Sequence, residues 1–381
     1  MQRTIYGPEH DAFAATLRAF LTNEVVPHMA EWEEAGAVPR DLYREVGKLG
    51  VTGIQVPARF GGAGESSFLF NCVVTEQIAY SRSTLGALRV HTDVVMPYVL
   101  AYANEEQQAR WLPGMASGEL MSAIAMTEPG TGSDLAGMTT TARRTAEGWV
   151  VNGAKTFISG GSQAEMVVVV ARTSHEENRR GGLSLLVVEE GMAGFGRGRN
   201  LKKLGLLTQD TTELFFEDVV VPHENLLGEE GRAFEYLTGN LAQERLSIAV
   251  NAQAQAAAAL AVTVAYVRDR EVFGRPLSGF QNTKFVLADL ETQVTVGQIA
   301  VDRAIADHEN GALSPADAAK VKLFCTEMQG RVVDACLQLH GGYGYVRDYD
   351  ICRLYADARV SRIYGGTSEV MKSIIAKSMG L

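Results

Sequence analysis

A mainly helical α+β chain follows from two changes of periodicity along the sequence. It should comprise an N-terminal helical domain, a middle antiparallel β domain and a C-terminal domain resembling a four-helix bundle. Apolar residues recur at three- and four-residue spacing through the first third, give way to short β-branched runs between about Leu120 and Glu230, and resume helical spacing after Gly231. The expected domains are therefore residues 1–120, 121–230 and 231–381. With 381 residues, 46% of them hydrophobic, the chain is long enough for two or three packed domains.

In the first domain, DAFAATLRAFLTNEVVPHMAEWEE and DLYREVGKLGV carry the helical spacing, and SSFLFNCVVTEQIAY opens at a serine able to cap a helix. GIQVPARFGGAG, Gly53 to Gly64, interrupts with proline and glycine and reads as loop, after which EEQQARWLPGMASGE is helical again. In the second domain, Asn152-Gly153 within WVVNGAKTFISGG predicts a tight hairpin, and MVVVVA, LSLLVVEE and TELFFEDVVVP follow as strands. No helical segment separates them, so an antiparallel sheet or barrel is expected rather than a parallel βαβ sheet. In the third, one helix should run from about Ala233 to Arg268, with room for a break, and a second from Gln281 to His308. A third opens at SPAD, where Ser314 can cap, Pro315 suits the first turn and Asp317 complements the helix dipole; it should continue to Gln338, where HGGYGY stops it.

A formal net charge of -10 argues against a nucleic-acid groove or an anionic membrane surface as partner. Cys72, Cys325, Cys336 and Cys352 form no CxxC and no metal-ligand spacing with histidine, so they read as buried, reduced thiols of a cytoplasmic protein with no metal site. The start, MQRTIYGPEHDAF, lacks the apolar run of a secretory signal. Ser247 to Tyr266 is apolar but interrupted by Asn251, Gln253 and Gln255, which favours a core helix over a membrane span.

Several stretches carry chemistry. AMTEPGTGSD, Ala125 to Asp134, has glycines that let backbone N–H groups approach an anion and hydroxyls at Thr127 and Ser133; it is neither a Walker loop nor a dinucleotide fingerprint, and an ordinary turn fits its composition as well. KTFISGG places Phe157 beside Ser159 on a strand, where an aromatic covers a planar cofactor or simply fills core. In RDREVFGRPLSGFQ the cations either satisfy the last carbonyls of a helix or, at Arg270, grip a pyrophosphate through a planar fork. QLHGGYGY is by itself a glycine helix stop, and RIYGGTSEV a glycine turn before a last helix.

In this order and spacing, AMTEPGTGSD, NGAKTFISGG, REVFGRPLSGFQ, QLHGGYGY and IYGGTSEV, with VPARFGGAG and RWLPGMASGE in the first domain, resemble the acyl-CoA dehydrogenase family over essentially the whole chain. The resemblance implies a non-covalent FAD that accepts a hydride at N5 while a carboxylate removes the α-proton of an acyl thioester, giving a trans-2-enoyl thioester. It places Met126 and Thr127 at the flavin pyrimidine edge, Phe157 and Ser159 beside the ring, and Ser133 at the pyrophosphate and substrate. Arg270, Phe273, Gln281, Gln338 and Gly342 would bind the adenosine half, largely across a subunit interface, and Thr367 and Glu369 would lie near the diphosphate and ribose. Tyr364 and Gly365 would touch the substrate.

A thioester α-proton leaves only if growing charge on the carbonyl oxygen is stabilised and a base is positioned. The resemblance assigns one oxygen donor to the backbone N–H of Gly365 and the other to a flavin ribityl hydroxyl. Many family members carry a glutamate where this chain has Gly365; a branch similar to the long-chain and isovaleryl enzymes places the base on a helix instead. The matching residue in NLAQERLSIA is Glu244, followed by Arg245, which would hold the loop or moderate the pKa of the base. An exposed structural glutamate is the alternative for Glu244, and Glu369 is the rival carboxylate. Relatives often carry an acidic residue where this chain has Ala242, which leaves coenzyme A and acyl carrier protein both open as the thioester carrier. The resemblance further implies electron-transfer flavoprotein as acceptor and a homotetramer or homodimer. A flavin monooxygenase on the same fold and a flavin-free binding protein are the competing functions.

Overall fold

The computed structural model describes residues 3–381. Helices α1 (Pro8–Phe20), α2 (Met29–Ala35), α3 (Asp41–Lys48), α4 (Leu69–Tyr80), α5 (Met96–Tyr102) and α6 (Glu105–Ser117) build the first part. The apolar run from Asp11 to Glu34 is not one helix. A π turn at Leu21–Val25 and a 3-10 turn at Val26–His28 divide it, where Pro27 removes a backbone donor. At the start of α4, Ser67 Oγ accepts the Leu69 N–H at 3.2 Å, while the Glu309 carboxylate takes the Phe68 N–H at 2.9 Å. A carboxylate from the third part thus complements a helix N-terminus in the first.

The middle part is an eight-stranded sheet of β1 (Ser122–Ala125), β2 (Thr141–Arg144), β3 (Trp149–Ser159), β4 (Met166–Arg172), β5 (Leu183–Glu189), β6 (Phe195–Arg197), β7 (Thr211–Val221) and β8 (Leu226–Leu227), ordered β6-β7-β3-β2-β4-β5-β8 with β1 beside β4. Most pairs are antiparallel, as expected, but β1 and β2 run parallel to β4, so the sheet is mixed. The crossover that a parallel pair needs is a loop and the β2–β3 hairpin rather than a helix. Asn152-Gly153 is not a hairpin turn, contrary to expectation. It lies within β3, where Gly153 (φ +151°) sits at a register shift against β7 and the Asn152 side chain exchanges two hydrogen bonds with Asp218. The chain instead turns at Thr145–Gly148, where the Thr145 N–H bonds the Gly148 carbonyl at 2.7 Å.

β4 is buried on both faces. Met166, Val168 and Val170 pack with Tyr98, Trp111 and Leu237, whereas Val167, Val169 and Ala171 pack with Trp149, Val151 and Phe216. A strand covered on both sides has no polar face to alternate with, hence the unbroken valine run.

The third part contains α7 (Ala233–Asp269), a two-stranded ribbon of β9 (Glu271–Val272) and β10 (Arg275–Pro276), then α8 (Gln281–Glu309), α9 (Pro315–His340), α10 (Asp350–Ala358) and α11 (Ser368–Ser378). Ser314 Oγ accepts the Asp317 N–H at 3.1 Å, and Gly341 at φ +59° ends α9. α7 is unbroken. Among the described residues it alone is long and apolar enough to cross a membrane, yet 67% of that window is buried in the protein. Its amides are used inside the bundle: Gln253 Nε2 donates to the Val294 carbonyl at 2.8 Å, and Gln255 Oε1 accepts from Gln329 Nε2 at 2.6 Å. The four cysteines are unpaired; Cys352 is only half-buried, unlike the other three, because it lies on the outer helix α10.

Candidate active site

Glu244 lies in the first third of α7 with 6% of its surface exposed, which rules out the exposed structural glutamate. Its Oε1 accepts from the Tyr98 hydroxyl on α5 at 2.9 Å and from Asn240 Nδ2, one turn earlier on α7, at 3.1 Å. Both donors converge on Oε1, and among the described residues Oε2 accepts none. Burial pushes the Glu244 carboxyl above the ordinary range, against the pull of the Tyr98 and Asn240 hydrogen bonds and the Arg245 charge. The result is a carboxylate with one oxygen anchored, one free, and raised basicity. A second π turn, Val90–Val95, clamps this side of α7: Asp93 Oδ2 accepts from Ser247 Oγ at 2.5 Å, and the Asp93 carbonyl accepts from Gln243 Nε2 at 3.1 Å. The rival Glu369 is exposed in the first turn of α11, and its own backbone N–H and the Thr367 hydroxyl hold its carboxyl below the ordinary range, a poor setting for a base.

Gly365 lies one helical turn beyond Glu244 in projection, since a Cβ there would run into Ile248 Cδ1. Gly365 (φ +61°) and Gly366 (φ +96°) occupy conformations that side chains disfavour. The space a loop side chain would need is taken by Ile248, so this site is built around a base on the helix. The Gly365 N–H finds no acceptor among the described residues. Arg245 is buried and, among the described residues, forms no hydrogen bond to Glu244 or the loop, though its charge acts on Glu244 and on Lys322. The loop is held by Lys322 of α9 instead, whose Nζ donates to the Tyr364 carbonyl at 2.7 Å and to the Gly366 carbonyl. The Tyr364 hydroxyl meets Arg89 Nη2 at 3.4 Å.

Met126, Thr127 and Ser133 lie on the loop after β1, and Phe157 and Ser159 at the end of β3. The loop is fastened from beneath: the Thr156 N–H bonds the Thr127 carbonyl at 2.9 Å, and the fully buried Lys155 Nζ bonds the Met126 carbonyl at 3.1 Å and Glu128 Oε1 at 2.9 Å. Burial alone would raise Glu128, but Lys155 and the donors of Thr139 hold it down to about 2. Phe157 is 67% exposed at φ +59°, and Phe273, at the tip of the β9–β10 ribbon, is 97% exposed at φ +50°. A bulky residue with positive φ is rare and strained. Both aromatics are thus held outward at some backbone expense. At the far end of α7, Arg270, Gln338, Gly342, Tyr266 and Tyr343 line a cleft of about 510 Å³. The Arg270 guanidinium lies 5.5 Å over the Tyr343 ring and is not bonded to helix carbonyls. Gln281 begins α8 and is exposed.

Sequence models of the acyl-CoA dehydrogenase N-terminal, middle and C-terminal domains match residues 7–119, 123–219 and 231–380. The chain belongs to the acyl-CoA dehydrogenase family. It is 44% identical over 378 residues to the mitochondrial long-chain specific acyl-CoA dehydrogenase of Sus scrofa, covering 99% of this chain and 88% of that protein. The crystal structure of an acyl-CoA dehydrogenase from Geobacillus kaustophilus superposes with a TM-score of 0.97 at 44% identity, over 99% of each chain. A glutaryl-CoA dehydrogenase from Mycobacterium smegmatis, solved with FADH2, gives 0.90 at 28% identity, over 98% of this chain and 95% of that one.

As an acyl-CoA dehydrogenase the protein is FAD-dependent, and its surface fits the cofactor. Phe157 offers an exposed aromatic face, and Gly130, Gly132, Gly341 and Gly342 each leave open the space a Cβ would fill. Met126, Thr127, Ser133, Phe157 and Ser159 would hold the flavin half. Arg270 is about 39 Å from Glu244 along the axis of α7, farther than one dinucleotide reaches. The residues implied for the adenosine half therefore lie far from the base of the same chain. Thr367 caps α11, its Oγ1 accepting the Val370 N–H at 3.3 Å. Sequence reasoning missed Tyr98, Asn240, Ile248, Lys322 and the Lys155–Glu128 pair. Only Asn240 carried a local signal, four residues before Glu244 on one helix face.

Proposed function

We propose that this acyl-CoA dehydrogenase acts on long-chain acyl-CoA thioesters, with Glu244 as base and the Gly365 N–H as a donor to the carbonyl oxygen. The observation that carries the reading is Glu244 itself: buried, raised in pKa, and anchored through Oε1 so that Oε2 is free for the α-proton. The Gly365 N–H stabilises the negative charge that develops on the thioester oxygen as the proton leaves, a contribution of roughly 3 kcal/mol for a well-placed donor. FAD, when bound, supplies the acceptor for the β-hydrogen as hydride. Burial of Glu244 excludes water that would otherwise solvate the carboxylate and weaken it as a base.

The long-chain preference rests on likeness to the Sus scrofa enzyme and on the helix-borne base. Coenzyme A is preferred over acyl carrier protein because the named relatives are CoA enzymes. Phe273, exposed at a ribbon tip, and the distance of Arg270 from Glu244 along α7 favour a homotetramer in which one subunit completes the FAD site of another. Electron-transfer flavoprotein is the proposed acceptor and the cytoplasm the proposed location. The test is a panel of short, long, branched and steroid side-chain acyl-CoAs assayed with an artificial electron acceptor. The highest kcat/KM should fall on long straight chains; a maximum on short or branched thioesters contradicts the reading.

A further inference from the structure

We propose that Lys322 is a positioning residue for this reaction: its ammonium, seated on the carbonyls of Tyr364 and Gly366, orients and polarises the peptide whose N–H grips the thioester oxygen. The proposal rests on the reading of Gly365 as a donor to that oxygen. Lys322 is 1% exposed and comes from α9, which packs against α7. Nζ donates to the Tyr364 carbonyl at 2.7 Å and to the Gly366 carbonyl, so it brackets Gly365 from both sides.

The consequence follows from peptide geometry. The Tyr364 C=O and the Gly365 N–H belong to one planar trans unit and point in opposite directions. A cation fixed on the oxygen therefore aims the N–H at the far side. It also draws electron density towards the carbonyl, which makes the N–H a stronger donor, since hydrogen bonds in a chain polarise one another in a low-dielectric interior. The second contact, on Gly366, restrains two glycines that would otherwise be free to swing.

A neutral amide or hydroxyl would satisfy two carbonyls at lower cost, so a purely structural pin does not require a lysine. Burial and then the Arg245 charge lower Lys322 to about 8, and no carboxylate offsets them. Arg245, its Nε without a hydrogen-bond partner, adds a second buried cation on this side. Lys322 therefore sets a buried positive charge directly behind the peptide whose N–H meets the oxygen that gains negative charge, so its electrostatic cost in the resting enzyme is returned as that charge develops.

The test uses FAD-loaded protein and trans-2-enoyl-CoA carrying carbon-13 at the thioester carbonyl, a bound product with no further reaction to undergo. Isotope-edited infrared spectra give the carbonyl stretch in the wild type, in Lys322→Met, in Lys322→Gln and in Lys322→Arg. The wild type should lower the stretch relative to free enoyl-CoA. Lys322→Met should lose most of that lowering, with kcat down about tenfold to a hundredfold and enoyl-CoA affinity within about threefold, because the loop contacts the carbonyl more tightly in the transition state. Lys322→Gln, which keeps a neutral donor for the same carbonyls, tests charge separately from folding and should also lose the lowering; Lys322→Arg, which keeps the charge, should recover part of it. A wild-type stretch and kcat in Lys322→Gln overturn the proposal while leaving Gly365 in place. Absence of any lowering in the wild type overturns the reading of Gly365 itself, and this proposal with it.

Discussion

Replacing Tyr98 by Phe removes one hydroxyl from the core and leaves the ring, so it isolates the hydrogen bond to Glu244 Oε1 at 2.9 Å. That bond favours the carboxylate, and a hydrogen bond to a charged group is worth about 1.5–3 kcal/mol. One pH unit corresponds to about 1.4 kcal/mol, which sets the displacement at about one to two units. Asn240 still donates to the same oxygen at 3.1 Å, so the lower value is expected. Only the carboxylate takes the α-proton, so the rate rises with pH through the pKa of Glu244. Burial already places that rise above the ordinary glutamate range, and Tyr98→Phe should move it about one unit further up. Anaerobic stopped-flow mixing with a saturated acyl-CoA, read by loss of flavin colour across pH, gives both midpoints. Well below the midpoint the variant should be about tenfold slower; on the alkaline plateau its more basic carboxylate should be at least as fast. A midpoint that stays in place, or falls, refutes the assignment of Tyr98 as the group that tempers the base.

Lys155→Met leaves Glu128 buried without its cation, which should cost about 3–5 kcal/mol and loosen the loop carrying Met126 and Thr127; the denaturation midpoint and FAD lost on gel filtration measure the two effects. Gly365→Ala must adopt φ +61° and displace Ile248 Cδ1, at about 1–2 kcal/mol of backbone strain. Calorimetry should show a lower melting temperature, and kcat should fall about tenfold as the N–H moves off the thioester oxygen.

The long helices were legible because their ends are chemically marked: Ser314 opens α9 and Gly341 closes it, as their residue types imply. The valine run of β4 was legible as a strand, but its parallel neighbours were not, since direction depends on where the chain returns rather than on local pattern. Asn152-Gly153 misled because the same dipeptide serves a turn or a bulge, and the strand opposite, with Asp218, decides between them. At the site, Glu244 was reached by likeness to a family and by the empty position at Gly365. What anchors and tempers it is Tyr98, 146 residues earlier, and what holds the loop is Lys322, on another helix. No local pattern links residues so far apart along the chain, so that part of the chemistry appears only once the helices are packed.

The most direct test of the account is Glu244→Gln, an isosteric change that removes the base and keeps an oxygen for Tyr98. The FAD-loaded variant should bind a long-chain acyl-CoA with affinity close to that of the wild type, yet show flavin reduction slower by at least a thousandfold when mixed anaerobically, at about 1.4 kcal/mol for each factor of ten. Flavin bleaching at the wild-type rate would show that another group takes the α-proton.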